Sequence, residues 1–221
     1  MSKKTRSDIP PSPSQDDYEA QNVGALDWLN ADDPILLCKE WLAKAGETEV
    51  NDPNAMSLAT VDERGLPDVR IVLLKGLDER GFVFYTNANS VKGAQLIAAG
   101  KAALCFHWKT QKRQVRVRGS VAAVSPDESD AYFAQRARDS RIGAWASDQS
   151  SPVEDRPALL KRVKDVEKRF DGLDVSRPEF WYGWRVSPVT IEFWQDGAFR
   201  LHDRIVFTAH EDGWTKQRLF P

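Results

Sequence analysis

Residues 55–87 read AMSLATVDERGLPDVRIVLLKGLDERGFVFYTN. Apolar runs at 55–61, 68–75 and 82–86 have the composition of β-strands, and the tetrapeptide DERG separates them twice, at 62–65 and 78–81. In each copy the acidic residue can open a turn and the glycine can take a positive φ, so the two are expected as hairpin turns, not as a solenoid repeat. Two further apolar runs, 102–108 and 114–124, make five strands within about 70 residues, the density of a barrel or sandwich. A short helix should interrupt them, capped by Ser90, turning Leu96 and Ile97 inward and closed by Gly100.

Working outward, SPDE at 125–128 opens a helical section: Ser125 and Glu128 can form a capping box, with Pro126 at the first helical position. Helices are expected near 139–146 and at 154–170, the latter with Leu159, Leu160, Val163, Val166 and Phe170 as its buried stripe. Strands return at 181–186, 189–195, 198–207 and 214–220, and should complete the sheet that the early strands begin. On the amino-terminal side, Asp33-Pro34 starts a helix with Leu37, Trp41, Leu42 and Ala45 on one face, ended by Gly46. Residues 1–30 hold three prolines and few large apolar groups, and are expected to form a mobile arm. The fold class is mainly β with α, an α+β arrangement. One domain over 31–221 is expected, with a helical insertion at about 125–170.

The whole chain has 221 residues with 31 Lys+Arg against 33 Asp+Glu, a net charge of −2 that removes any general attraction to polyanions. Ten Phe, eight Trp and four Tyr can fill a sizeable core. Cys38 and Cys105 form neither a CxxC nor a disulfide framework, which fits a reducing, cytoplasmic setting. No apolar run approaches the ~18 residues of a membrane helix, and no signal peptide is expected. His107, His202 and His210 lack ligand spacing, so no metal is expected. The cluster Lys109, Lys112, Arg113, Arg116 and Arg118 comes without an aromatic platform, so no nucleic-acid partner is expected either.

Four segments could carry chemistry. If RLHDR at 200–204 is a strand, Arg200, His202 and Arg204 project to one face about 7 Å apart, a surface for anions and protons; a solvated face with Asp203 as local partner is the competing reading. In RIVLLK at 70–75, Arg70 and Lys75 fall on opposite faces unless the strand bends, and could simply mark strand ends. YTN at 85–87 leads into Ser90, Lys92 and a helix amino terminus, either a phosphate cradle or ordinary capping. Tyr132, Arg136 and Ser140 would line one edge of an unbroken helix and suit a phosphate monoester; a surface helix end is the alternative.

Taken together and in order, RIVLLK, FYTN, FHWK with RQVRV, RIGAWASDQS, IEFWQ, RLHDR and a closing RLFP resemble the pyridoxine (pyridoxamine) 5′-phosphate oxidase family, from about Asp33 to Pro221. The resemblance implies a homodimeric split β-barrel that binds FMN at the subunit interface, with a smaller helical region beside the substrate. It implies FMN contacts from Arg70, Ile71, Val72, Leu73 and Lys75 in the first strand pair. Further FMN contacts would be Tyr85, Thr86, Lys92 and Gln114, then Gln149, Ser150, Trp194 and Arg204, with Arg70 and Lys92 facing the phosphate. Lys75, Tyr132, Arg136 and Ser140 would hold the substrate phosphate, and Arg200 and His202, the implied catalytic pair, would lie beside the pyridine ring. The implied reaction passes a hydride from C4′ of pyridoxine or pyridoxamine 5′-phosphate to the flavin, with O₂ as final acceptor, yielding pyridoxal 5′-phosphate and H₂O₂, plus ammonia from the amine. Two rivals are a split-barrel flavin oxidase acting on a different ring substrate and a non-catalytic flavin or pyridoxal-phosphate carrier. This chain departs from the family at Val91, where an arginine is usual, and at Ala137, where proline is. The first departure implies weaker FMN binding, and the second a looser turn between Arg136 and Ser140. Tyr18 in the arm would correspond to a lid residue of the family, without its usual basic companion.

Overall fold

The computed structural model describes residues 12–19 and 25–221. Among these residues nine strands form one continuous hydrogen-bonded network: β1 (Ala55–Val61), β2 (Pro67–Leu73), β3 (Gly76–Asp78), β4 (Gly81–Asn87), β5 (Lys101–Trp108), β6 (Arg113–Ala123), β7 (Trp181–Gln195), β8 (Asp203–His210) and β9 (Gly213–Arg218). Neighbours run β2-β1-β5-β6-β7-β4-β3, with β8 on β7 and β9 on β8. All pairings are antiparallel. Both DERG segments are hairpin turns, joining β1 to β2 and β3 to β4, with positive φ at Gly65 and Gly81.

On one side, β7 divides its pairing between two strands of the network. Its first half, from Trp181 to Val186, pairs with β4, and its second half, from Thr190 to Gln195, pairs with β8, while β6 follows it from Trp184 to Gln195. The register shifts between Arg118 and Gly119, opposite Pro188, which has no N–H to give the ladder. Gly119 is required there, because a Cβ would lie 2.0 Å from the Ser187 carbonyl oxygen. The sequence reading placed two strands at 181–186 and 189–195; the bulge absorbs the proline and they are one strand.

Alternating inward side chains fill the barrel, among them Met56, Leu58, Phe82, Phe84, Phe106, Val115, Ile191, Phe193 and Phe207. Helix α2 (Pro34–Thr48) covers one end, with Asp33 accepting from the backbone N–H of Ile35 and Leu36. Its Trp41 packs edge-on against Phe193 and against Trp28. Trp28 is therefore core, and ordered packing begins upstream of Asp33. The expected mobile arm lies partly outside the described residues; within them are helix α1 (Gln15–Glu19) and a 3-10 turn at Asp27–Asn30. Gly46 does not end α2, which continues to Thr48 because nothing at that exposed glycine breaks its hydrogen bonding.

Helix α3 (Val91–Ala99) is capped by Ser90 and closed by Gly100 at φ 59°, as expected, but Ile97 faces solvent while Leu96 is buried. Adjacent helix positions diverge by about 100°, so one short helix resting on a sheet cannot bury both. Helices α4 (Pro126–Gln135), α5 (Arg138–Ala146) and α6 (Arg156–Arg169) form the side layer around a second small core of Phe133, Ile142, Phe170, Val175 and Trp181. Of the stripe expected on α6, Phe170 just past its end is buried, Leu159, Val163 and Val166 are half-buried and Leu160 is exposed, because the helix packs chiefly on α5 and not on the sheet.

Candidate active site

Where the barrel meets the helical layer lies a cavity of about 730 Å³, within the range of cofactor and substrate pockets. Ile71, Val72 and Leu73 reach it from the end of β2, Lys75 from the link into β3, and Tyr85, Thr86 and Asn87 from the end of β4. Lys92 comes from the first turn of α3, and Tyr132, Arg136, Ser140 and Gln149 close the helical side. The strand expected over 68–75 ends at Leu73 and turns. Lys75, outside the ladder, therefore reaches the cavity, whereas Arg70 does not line it.

The expected unbroken helix through Tyr132, Arg136 and Ser140 is also corrected. α4 stops at Gln135, and Arg136 and Ala137 are extended, with ψ near 146° and 141°. The break sets α4 and α5 at an angle that opens both Arg136 and Ser140 onto the cavity.

Electrostatically the cavity is a set of partly desolvated polar groups. Burial pulls Lys92 below the usual lysine range, and the nearby Arg70 charge pulls it further. Burial likewise lowers Arg136 and raises the phenols of Tyr85 and Tyr132. Lys92 Nζ donates to Gln149 Oε1 at 2.7 Å and to Ser90 Oγ at 3.1 Å, and the Thr86 hydroxyl donates to the same Gln149 oxygen at 3.2 Å. Arg70 sits behind this group, donating to Thr60 Oγ1 at 2.6 Å and the Leu58 carbonyl at 3.0 Å, with Asp68 as its ion pair. Among the described residues Arg136 has no carboxylate partner, and its Nη1 is buried without a hydrogen-bond acceptor. Such a group costs free energy until an anion satisfies it.

The remaining expected residues form a second group elsewhere. Gln114, Trp194 and Arg204 lie side by side across β6, β7 and β8, and the His202 ring is 4.7 Å from Trp194. RLHDR is not all strand. Phe199 and Arg200 are left-handed, with φ 54° and 63°, and β8 begins only at Asp203. Gly197 makes this turn possible, since a Cβ there would lie 2.2 Å from the Leu201 carbonyl oxygen. Arg200, His202 and Arg204 therefore do not alternate along one strand face. His202 Nδ1 accepts the Gly197 N–H at 3.1 Å, with Asp196 Oδ1 3.0 Å away, and Arg204 donates twice to Glu192, at 3.0 and 2.8 Å. Ser150, left-handed at φ 74°, does not line the cavity. Asn87, Ala144, Ser147 and Trp181 do, and sequence reasoning missed them; the only available signal was that Asn87 follows Tyr85-Thr86 and that Trp181 opens a strand.

The Lys92 shift carries a sign that can be tested. A lysine whose folded pKa is depressed loses its charge at lower pH than in the unfolded chain, so the cost of burying it is relieved as pH rises through the folded value. Attraction for a phosphate is lost over the same interval. Phosphate-bearing ligands should therefore weaken on the alkaline side, starting below the ordinary lysine range. In Lys92→Arg, where the cation persists, a binding titration against pH should show this limb flattened.

Among the described residues no His/Cys/Asp/Glu group could hold a metal ion and no helix is long and apolar enough to cross a membrane. The model for pyridoxamine 5′-phosphate oxidase matches residues 42–170, and that for the pyridoxine 5′-phosphate oxidase C-terminal dimerisation region matches 181–221. A pyridoxine/pyridoxamine 5′-phosphate oxidase of Caulobacter vibrioides is 57% identical over 215 residues, covering 96% of this chain and 97% of its own. One from Hyphomonas neptunium is 57% identical over 219 residues, covering 98% and 100%. Among solved structures, PhzG from Burkholderia lata 383 in complex with tetrahydrophenazine-1-carboxylic acid superposes with a TM-score of 0.84 at 29% identity, covering 90% of this chain and 98% of that one. A pyridoxamine 5′-phosphate oxidase-related, FMN binding protein of Nostoc punctiforme shares the fold, with a TM-score of 0.68 at 16% identity over 85% of this chain and 98% of that one. With both halves of the chain matched, and relatives at this identity over nearly full length, the chain belongs to the pyridoxine/pyridoxamine 5′-phosphate oxidase family of oxidoreductases.

Proposed function

We propose that this chain, as a homodimer, oxidises pyridoxine 5′-phosphate or pyridoxamine 5′-phosphate to pyridoxal 5′-phosphate with FMN as cofactor and O₂ as acceptor, in the formation and salvage of that aldehyde. The observation that carries the reading is the cavity wall. Lys75, Lys92 and Arg136 converge there, and the Arg136 guanidinium, desolvated and without a carboxylate, calls for an anionic ligand. The residues fit FMN: Thr86, Lys92 and Gln149 gather cationic and hydrogen-bonding groups suited to its phosphate, with the Arg70 charge behind them, and Ile71, Val72 and Leu73 border the cavity along a strand end. When bound, FMN would supply hydride acceptance and reoxidation by O₂.

Two phosphates then have separate holders. Lys92, with the Arg70 charge behind it, serves that of the cofactor, while Lys75, Tyr132, Arg136 and Ser140 anchor that of the substrate and so fix its ring. Gln114, Trp194, Arg200, His202 and Arg204 lie toward the far end of β7, a strand of 15 residues that spans roughly 50 Å of chain. Within one copy they do not line the cavity; in a homodimer those of the partner subunit could complete it. The match of 181–221 to a dimerisation region supports that assembly. In this arrangement His202, held at Nδ1 between the Gly197 N–H and Asp196, keeps Nε2 for the substrate ring, and Arg200 holds a substituent.

The test is direct. Purified protein with FMN and pyridoxine 5′-phosphate under air should form aldehyde and peroxide together; absence of both defeats the proposal. PhzG, with its fused-ring ligand, supports a second reading, a split-barrel oxidase of a ring carboxylate. It would gain ground if a fused-ring acid, and not the B6 phosphates, reduced the bound flavin anaerobically. Flavin that binds but is reduced by neither would mark a non-catalytic carrier.

A further inference from the structure

Most arginines near the barrel are held by carboxylates. Arg70 rests on Asp68, Arg204 on Glu192, and Arg185 between Asp78 at 2.7 Å and Glu128 at 2.9 Å. A carboxylate fixes a guanidinium well but neutralises it. Arg136 is held otherwise: its guanidinium carbon lies 4.6 Å from the centre of the Trp181 ring and 5.7 Å from that of Phe133, with no acidic partner among the described residues. An aromatic face attracts a cation through its quadrupole and leaves the net charge intact.

Trp181 is itself firmly placed. Its N–H donates to the Pro178 carbonyl at 3.0 Å, its carbonyl accepts from Arg177 at 3.0 Å, and it stands opposite Asn87 in the β4 ladder. Its ring lies nearly parallel to those of Tyr85 and Tyr132, at 5.4 and 6.1 Å, and edge-on to Phe133. The indole is thus a fixed shelf at the cavity wall, and the guanidinium lying on it retains an unsatisfied Nη1.

We infer that Trp181 is the positioning residue for Arg136: it holds the guanidinium at the cavity wall by its π face, so that the full positive charge remains available to the phosphate of the ligand. The inference rests on the reading of Arg136 as a ligand of the substrate phosphate, and one set of measurements separates the two. Calorimetric titration of the FMN-loaded protein with pyridoxal 5′-phosphate and with pyridoxal would compare Trp181→Leu, Trp181→Phe, Arg136→Met and the Leu/Met double variant. Trp181→Leu should weaken the phosphorylated probe about 10-fold and Trp181→Phe about 2- to 3-fold, with pyridoxal unchanged in both. The double variant should bind no worse than Arg136→Met alone, and steady-state kinetics of Trp181→Leu should show KM raised with kcat nearly unchanged. If Arg136→Met leaves the phosphorylated probe unaffected, the phosphate reading of Arg136 fails. If Arg136→Met weakens it but the Trp181 changes do not, or weaken both probes alike, the positioning role fails. Should Trp181→Leu not fold, Trp181→Phe decides by the same comparison of the two probes.

Discussion

Arg136→Met should raise KM for pyridoxine 5′-phosphate roughly 10- to 100-fold, the range expected when hydrogen bonds to a charged group, worth about 1.5–3 kcal/mol, are removed. The kinetic loss should come without a loss of stability. Among the described residues Arg136 makes no ion pair and its buried Nη1 has no acceptor, so in the ligand-free chain the guanidinium is a desolvation cost. Methionine can occupy the same space against Trp181 and Phe133 without that cost. Thermal unfolding of the ligand-free variant should therefore occur at or above the temperature of the parent. A variant that loses stability in step with KM would show that Arg136 supports the fold, and the phosphate role would lose its main support.

Gly93→Ala should cause a large loss of stability. A Cβ at Gly93 would lie 2.2 Å from the Ala88 carbonyl oxygen and 2.5 Å from its carbon, both backbone atoms that cannot yield as a side chain can. The first turn of α3 would have to lift from the 87–90 segment. That would strain the Ser90 cap, whose Oγ accepts the Gly93 N–H at 3.3 Å and donates to the Asn87 carbonyl at 2.6 Å. Overpacking and loss of the cap together amount to about 2–4 kcal/mol, a fall of roughly 5–15 °C in Tm for a chain of this size. Lys92 would move with the turn, so FMN should be released more readily as well. Gly46→Ala is the control, because its Cβ meets nothing within 4 Å on an exposed helix position. It should gain about 0.5–1 kcal/mol from helix propensity. Differential scanning calorimetry of both variants, with and without FMN, checks the pair.

The sequence was most informative where a local rule and the tertiary environment agreed. Ser90, Ser125 and Asp33 each cap the helix they were expected to cap, and the two DERG segments turn two hairpins, because capping and turn formation involve atoms only a few residues apart. Side-chain burial was less legible. Ile97 and Leu160 are apolar and helical yet exposed, since which part of a helix is covered depends on neighbours remote in the chain. RLHDR misled for a similar reason: its alternation suits a strand, but Phe199 and Arg200 are left-handed, in a turn closed by contact of Gly197 with Leu201.

By itself, then, the sequence determined the class of fold, the capped starts of the helices, the balanced charge, and through ordered motifs the family. All of these depend on short-range preference or on residue identity. Only the tertiary structure decided the grouping of the site. Leu73 and Lys75 stand with Tyr132 and Arg136 because β2 ends early and α4 breaks at Arg136, while Trp194, His202 and Arg204 stand apart toward the other end of β7. It alone revealed that Arg136 rests on Trp181 and not on a carboxylate. Charge placement of that kind follows from strand pairing and helix docking across scores of residues, and no window of sequence contains it.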